Sequence, residues 1–195
     1  MKVIAAVLGL MAAAAASAQA QPAPFAERLV SAAVAQTAAR VTYDGSYRRI
    51  GYPGGDVPAS VGVCTDVVIR AYRGVGIDLQ VKVHEDMSAA FHAYPQFWRM
   101  AGPDSNIDHR RVPNLQAFFR RQGTELRVTE DPRAYSAGEL VTWMLPGNLP
   151  HIGIVTGQKA ASGTPMIVHN IGRGPEVEDM LFAYPITGHF RYPAP

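Results

Sequence analysis

One cysteine, Cys64, stands among six histidines (His84, His92, His109, His151, His169 and His189) in a chain of 195 residues. A thiolate is a strong nucleophile, and a neighbouring imidazole is the usual base that generates it. The loop Asp56-Val57-Pro58-Ala59-Ser60-Val61-Gly62-Val63 leads into Cys64, after which Val67, Val68, Ala71 and Tyr72 recur at helical spacing as far as Arg73. Cys64 therefore falls at a helix start. Partial positive charge and unpaired N–H groups there favour thiolate over thiol and suit an oxyanion. This position predicts a thiol pKa below the ordinary ~8.5. Gly62 allows a close backbone approach. The plainer alternative is a small buried hydrophobe.

Two histidines lie in strand-like runs. His151 opens His151-Ile152-Gly153-Ile154-Val155, where alternation puts His151, Gly153 and Val155 on one face. Gly153 is expected to leave open space beside the imidazole. His169 ends Met166-Ile167-Val168-His169, which can pair antiparallel with the first run and bring the imidazoles together. His169 or Asn170 would then orient His151 by hydrogen bond. Each histidine also admits a purely structural reading. His84, His92 and His189 are read as surface or structural. Neither HExxH nor CxxC spacing occurs, so no metal or cofactor is expected. In Asp108-His109-Arg110-Arg111, the two guanidiniums are candidates to clamp a substrate carboxylate or phosphate; the alternative is a solvated polar loop, and Arg120-Arg121 reads the same way. Trp98 and Trp143 are expected in the core.

The elements that position these residues fall into two halves. Helices are predicted over Phe25–Ala39, Cys64–Arg73, His84–Tyr94 and Asn114–Gln122, and short strands over 125–129, 140–145, 152–156, 166–170 and 188–192. Helices first and strands later imply an α+β domain, with N-terminal helices packed on an antiparallel sheet. Met1-Lys2, an alanine-rich apolar run to Ala16, and small residues at Ala16, Ala18 and Ala20 have the layout of a signal peptide. Residues 1–20 are therefore read as the leader and 21–195 as one domain, periplasmic or secreted, without stable membrane insertion after cleavage. An unpaired cysteine in an exported chain suggests a reactive thiol or an intermolecular pairing. The formal charge is +2 including Lys2. A balance this near neutral argues against a nucleic-acid partner. A monomer is expected.

Four segments in order extend this reading. They are Tyr52-Pro53-Gly54-Gly55, Gly138-Glu139-Leu140-Val141, His151-Ile152-Gly153-Ile154-Val155-Thr156-Gly157, and Ile167-Val168-His169-Asn170. Around Cys64 they resemble the signature of NlpC-type papain-like cell-wall cysteine peptidases. Asn106-Ile107-Asp108-His109-Arg110-Arg111-Val112 and Val168-His169-Asn170-Ile171-Gly172 resemble more closely a secreted bacterial domain-of-unknown-function family, thought to be a distant branch of that superfamily. The resemblance implies a papain-like fold with Cys64 as nucleophile, His151 as base, His169 as orienting residue and Tyr52 as a helper near the oxyanion. It also implies a cell-wall peptide substrate cleaved at an amide bond through a thioester. A non-catalytic binding module of the same fold and a cysteine acyltransferase are the alternatives. Val63-Cys64-Thr65-Asp66 replaces the superfamily's usual Asp-Cys-Ser-Gly. If the leader is cleaved as read, intact mass of the exported protein will show a new N-terminus at Gln19 or Gln21; retention of Met1 contradicts the reading.

Overall fold

A computed structural model describes residues 23–98 and 100–193, so the leader reading lies outside the described residues. Helix α1 (Phe25–Val34) buries Leu29 and Ala33 against α2 (Cys64–Gly74). In α2 the residues Val67, Val68, Ala71 and Tyr72 are buried, as their spacing predicts. Helix α3 (Leu79–Ala89) begins five residues before the expected His84, because the Asp78 carboxylate caps it by accepting from the Gln80 N–H at 3.0 Å. Helix α4 (Val112–Gln122) carries Pro113 in its first turn and buries Leu115, Phe118 and Phe119. A parallel pair, β1 (Thr42–Tyr43) with β2 (Val61–Gly62), ties the segment after α1 to the approach to Cys64. The sequence pattern did not predict this pair.

The second half forms a six-stranded sheet. Its strands are β3 (Thr124–Glu125), β4 (Leu140–Leu145), β5 (Leu149–Lys159), β6 (Pro165–His169), β7 (Glu176–Glu178) and β8 (Ile186–Arg191). They lie in the order β3-β8-β4-β5-β6-β7, and every pairing is antiparallel. The chain is thus α+β, with helices packed on an antiparallel sheet. Alternation sorts each strand into two faces. Leu140, Ile152, Ile154, Val168 and Phe190 join the helices in one core. Val141, Trp143, Val155 and Ile167 form a second core with Tyr135, Met180 and Leu181. Trp143 is central to it, fully buried, with its indole N–H donating to the Leu181 carbonyl at 2.9 Å. Two expectations about strands need correction: 125–129 shortens to Thr124–Glu125, and β7 was not foreseen.

Asp66 anchors the start of α2. One carboxylate oxygen accepts from the Val63 N–H at 2.7 Å, the reverse half of a capping box. The same carboxylate receives the Arg110 guanidinium in bidentate fashion, at 2.8 and 2.9 Å, and both side chains are 2% exposed. Arg110 also donates toward the Asp44 and Ser46 carbonyls at 3.3 and 3.4 Å. One buried ion pair therefore joins α2, the segment after β1 and the turn before α4. Arg110 is consumed by this structural role, which corrects both its reading as solvated surface and its candidacy as a substrate clamp. Asp66→Ala leaves the guanidinium buried and uncompensated, and about 3–5 kcal/mol of stability should be lost in urea denaturation. A loss below about 1 kcal/mol, typical of an exposed pair, contradicts this role.

Candidate active site

Cys64 is the first residue of α2 and is buried, 3% exposed. The nearby backbone N–H groups of Ile152 and Thr65 favour its thiolate. Cys64 shares its buried core with Ile152, the residue after His151 on β5. Tyr43 lines the same cavity as Cys64, and the thiol's proximity raises the Tyr43 pKa, after burial. Tyr52, which sequence resemblance placed near the oxyanion, is not among the cavity's lining residues. Tyr52 itself is 45% exposed and packs edge-on against His84, with ring centroids 5.0 Å apart. Only the β1–β2 pairing brings Tyr43 to Cys64, and no local pattern around Tyr43 announces it.

The predicted meeting of the imidazoles occurs. His151 Nε2 lies 2.9 Å from His169 Nδ1, and the rings are nearly perpendicular at 86°. Register accounts for this: Ile154 opposes Val168, so the two histidines fall on one sheet face near the β5–β6 end. Gly153 works differently from the expectation. A Cβ there would stand 2.5 Å from the Ile167 side chain and 3.1 Å from the His169 Cβ, so the missing side chain lets β6 close in and leaves no open space. His169 continues outward through Nε2 to the Glu178 carboxylate at 3.0 Å. Glu178 is a further site residue that the sequence reading missed. Its three-residue strand, Glu-Val-Glu, is too short for a period to register.

Asn170 is buried and does not orient His151. Its side chain donates to the Gly62 carbonyl at 3.4 Å and accepts from the N–H groups of Gly172 and Gly174 at 3.0 and 3.2 Å. It fastens the end of β6 to the residues just before Cys64. Arg111 pairs with buried Asp108 at 3.0 Å, and its guanidinium lies 4.0 Å over the Trp98 ring. With Tyr43, Cys64, Trp98, Pro113 and Met144 it lines a cavity of about 540 Å³, so Arg111 borders the thiol's cleft. Trp98, expected in the core, is 38% exposed at this rim. His189, read as structural, is buried and bonds the Glu139 carboxylate at 2.7 Å.

Burial governs the electrostatics. It pushes the Cys64 thiol up from 9.0 to about 11, with the nearby Asp66 charge acting in the same direction. The expected depression at the helix start is overturned. Dipole and N–H contacts favour the thiolate, but desolvation outweighs them. Burial likewise holds His151 down, from 6.5 to about 3, with His169 adding to the effect. His169 is also lowered, by burial first, against the pull of Glu178. At neutral pH the resting site therefore holds an uncharged thiol and uncharged imidazoles.

Fold and site together describe an α+β domain with a buried cysteine at a helix start and a hydrogen-bonded histidine pair on the sheet. The chain belongs to the family described as a domain of unknown function, DUF1287, whose model matches residues 30–192. It is 50% identical over 157 residues to the uncharacterized protein YijF of Escherichia coli (strain K12), covering 80% of this chain and 77% of that protein. Two solved structures, NlpC1 and NlpC2 from Trichomonas vaginalis, align over 89% of this chain with TM-scores of 0.48 and 0.46 and identities of 16% and 15%. The aligned region spans about half of each of those chains, 46% and 49%.

The pKa shifts fix a pH window for stability. His151, lowered in the folded state, contributes stability that is full above pH 6.5 and lost as pH falls toward about 3. Cys64, raised in the folded state, contributes stability that is full below pH 9.0 and lost as pH rises through about 11. Urea denaturation across pH should therefore give a plateau with two falling arms. Each group adds a slope of about 1.4 kcal/mol per pH unit. Cys64→Ala should flatten the alkaline arm and His151→Gln the acid arm; parallel curves for variants and wild type contradict the shifts.

Proposed function

We propose that this protein is an exported cysteine hydrolase that cleaves an amide bond in cell-wall peptides. The observation that carries the reading is the hydrogen-bonded line from Glu178 through His169 to His151, on the strand whose Ile152 shares a core with Cys64. A thiol at a helix start, an imidazole base and an orienting group behind it are the parts acyl transfer requires. The export reading rests on the apolar, alanine-rich leader. Among the described residues no helix is long and apolar enough to cross a membrane. The cell-wall substrate rests on the resemblance to NlpC-type peptidases.

The chemistry begins from the neutral pair. As the sulfur attacks the carbonyl carbon of a bound amide, the thiol proton passes to His151. The tetrahedral oxyanion takes a hydrogen bond from the Cys64 backbone N–H at the start of α2, with the Tyr43 hydroxyl a second donor from the wall of the same cavity. The C–N bond then breaks, and the imidazolium returns its proton to the departing amine. This leaves a thioester on Cys64, which water hydrolyses with His151 again acting as base. Arg111, at the rim with Trp98, contributes positive charge to the cleft, while Arg110 contributes none to the substrate.

A second reading, a non-catalytic binding module of the same fold, draws on the near-complete burial of Cys64. Digestion of purified peptidoglycan with fragments identified by mass separates the two. Under the hydrolase reading new peptide ends appear with wild type, and both Cys64→Ala and His151→Ala reduce their yield by at least about a hundredfold. His169→Ala causes a smaller loss. Wild-type fragment yield from Cys64→Ala contradicts the nucleophile assignment.

A further inference from the structure

We propose that Glu178 is a positioning residue that dictates which nitrogen of each imidazole carries its proton, and so leaves His151 Nδ1 as the free acceptor at the end of the line. The proposal rests on the hydrolase reading for its function, but its structural content stands apart from that reading.

The argument runs atom by atom along the line. An ionised carboxylate only accepts hydrogen bonds. Glu178 Oε2 lies 3.0 Å from His169 Nε2, so that nitrogen must carry the hydrogen. A neutral His169 protonated at Nε2 has a bare Nδ1, which can only accept. That Nδ1 lies 2.9 Å from His151 Nε2, so this second nitrogen must carry a hydrogen in turn. A neutral His151 protonated at Nε2 then presents a lone pair at Nδ1. Reversing the first tautomer reverses both, and His151 would present an N–H where a base needs an acceptor.

The placement of Glu178 suits this task. It lies on β7, paired with β6 so that Glu178 opposes Ile167 and Glu176 opposes His169. His169 is fully buried, so no water competes at its ring, whereas Glu178 is partly exposed. Arg173 pairs with both Glu176, at 3.2 Å, and the second oxygen of Glu178. The three groups His169, Glu176 and Glu178 bring their ligand atoms within 4.8 Å of one another. The Arg173 guanidinium already supplies the positive charge between these carboxylates, and Glu178 Oε2 is turned to the imidazole. A glutamine at 178 offers both an acceptor and a donor of similar shape, so it releases the constraint while keeping the packing.

The test is the nitrogen spectrum of the side-chain imidazoles in the full chain at neutral pH, which distinguishes protonated from bare ring nitrogens. Wild type should show His169 and His151 both protonated at Nε2. Glu178→Gln should populate the opposite tautomer at both residues, with Glu178→Asp closer to wild type. Arg173→Ala should leave both tautomers unchanged. Wild-type His151 protonated at Nδ1 overturns the proposal, as do unaltered tautomers in Glu178→Gln. Should Glu178→Gln fail to fold, the wild-type spectrum alone still decides. Because tautomers are read whether or not any bond is cleaved, failure of the hydrolase reading shows separately, as undiminished hydrolysis by Cys64→Ala.

Discussion

Desolvation of the Cys64–His151 region is the constraint on which the rest of the site depends. In water, a cysteine thiol and an imidazole titrate within a few pH units of each other. Here burial drives them apart, the thiol upward and the imidazole downward, so both stay neutral at rest. Forming a thiolate–imidazolium pair from these groups would carry the desolvation cost of both ions.

Holding two polar side chains in this state requires rigid support from both layers of the fold. On the helical side, Asp66 serves at once as reverse cap for α2 and as partner of buried Arg110, so the start of the helix cannot shift without breaking an ion pair. On the sheet side, the β5–β6 register sets the histidine pair, and Gly153 lets the strands approach. Asn170 links the two, running from the end of β6 to the Gly62 carbonyl just before Cys64. The cavity lined by Cys64 opens where these supports stop, between Tyr43, Trp98 and Arg111.

Much of this was legible in the sequence, and the omissions have physical causes. The start of α2 at Cys64, strand 140–145 and the meeting of His151 with His169 follow from periodicities of 3.6 and 2, which are local properties. Tyr43 could not be read in this way, because a two-residue parallel pairing across about twenty residues leaves no local pattern. Glu178 was hidden by the brevity of β7. Arg110 was misjudged because adjacent arginines usually mean a wet surface, and only the fold reveals Asp66 waiting beneath. The thiol's titration was misjudged for a related reason: a helix start is visible in sequence, whereas the depth at which it is buried is a tertiary property that here outweighs the dipole.

The central proposal is that the Cys64 sulfur forms a covalent bond to the substrate's acyl group. Acid-quenching the protein during incubation with cell-wall peptides and measuring its intact mass tests this most directly. The account predicts an added acyl mass that maps to Cys64 and is released by hydroxylamine. Release of cleaved peptides with Cys64 unmodified at every quench time, or an adduct on another residue, would contradict it.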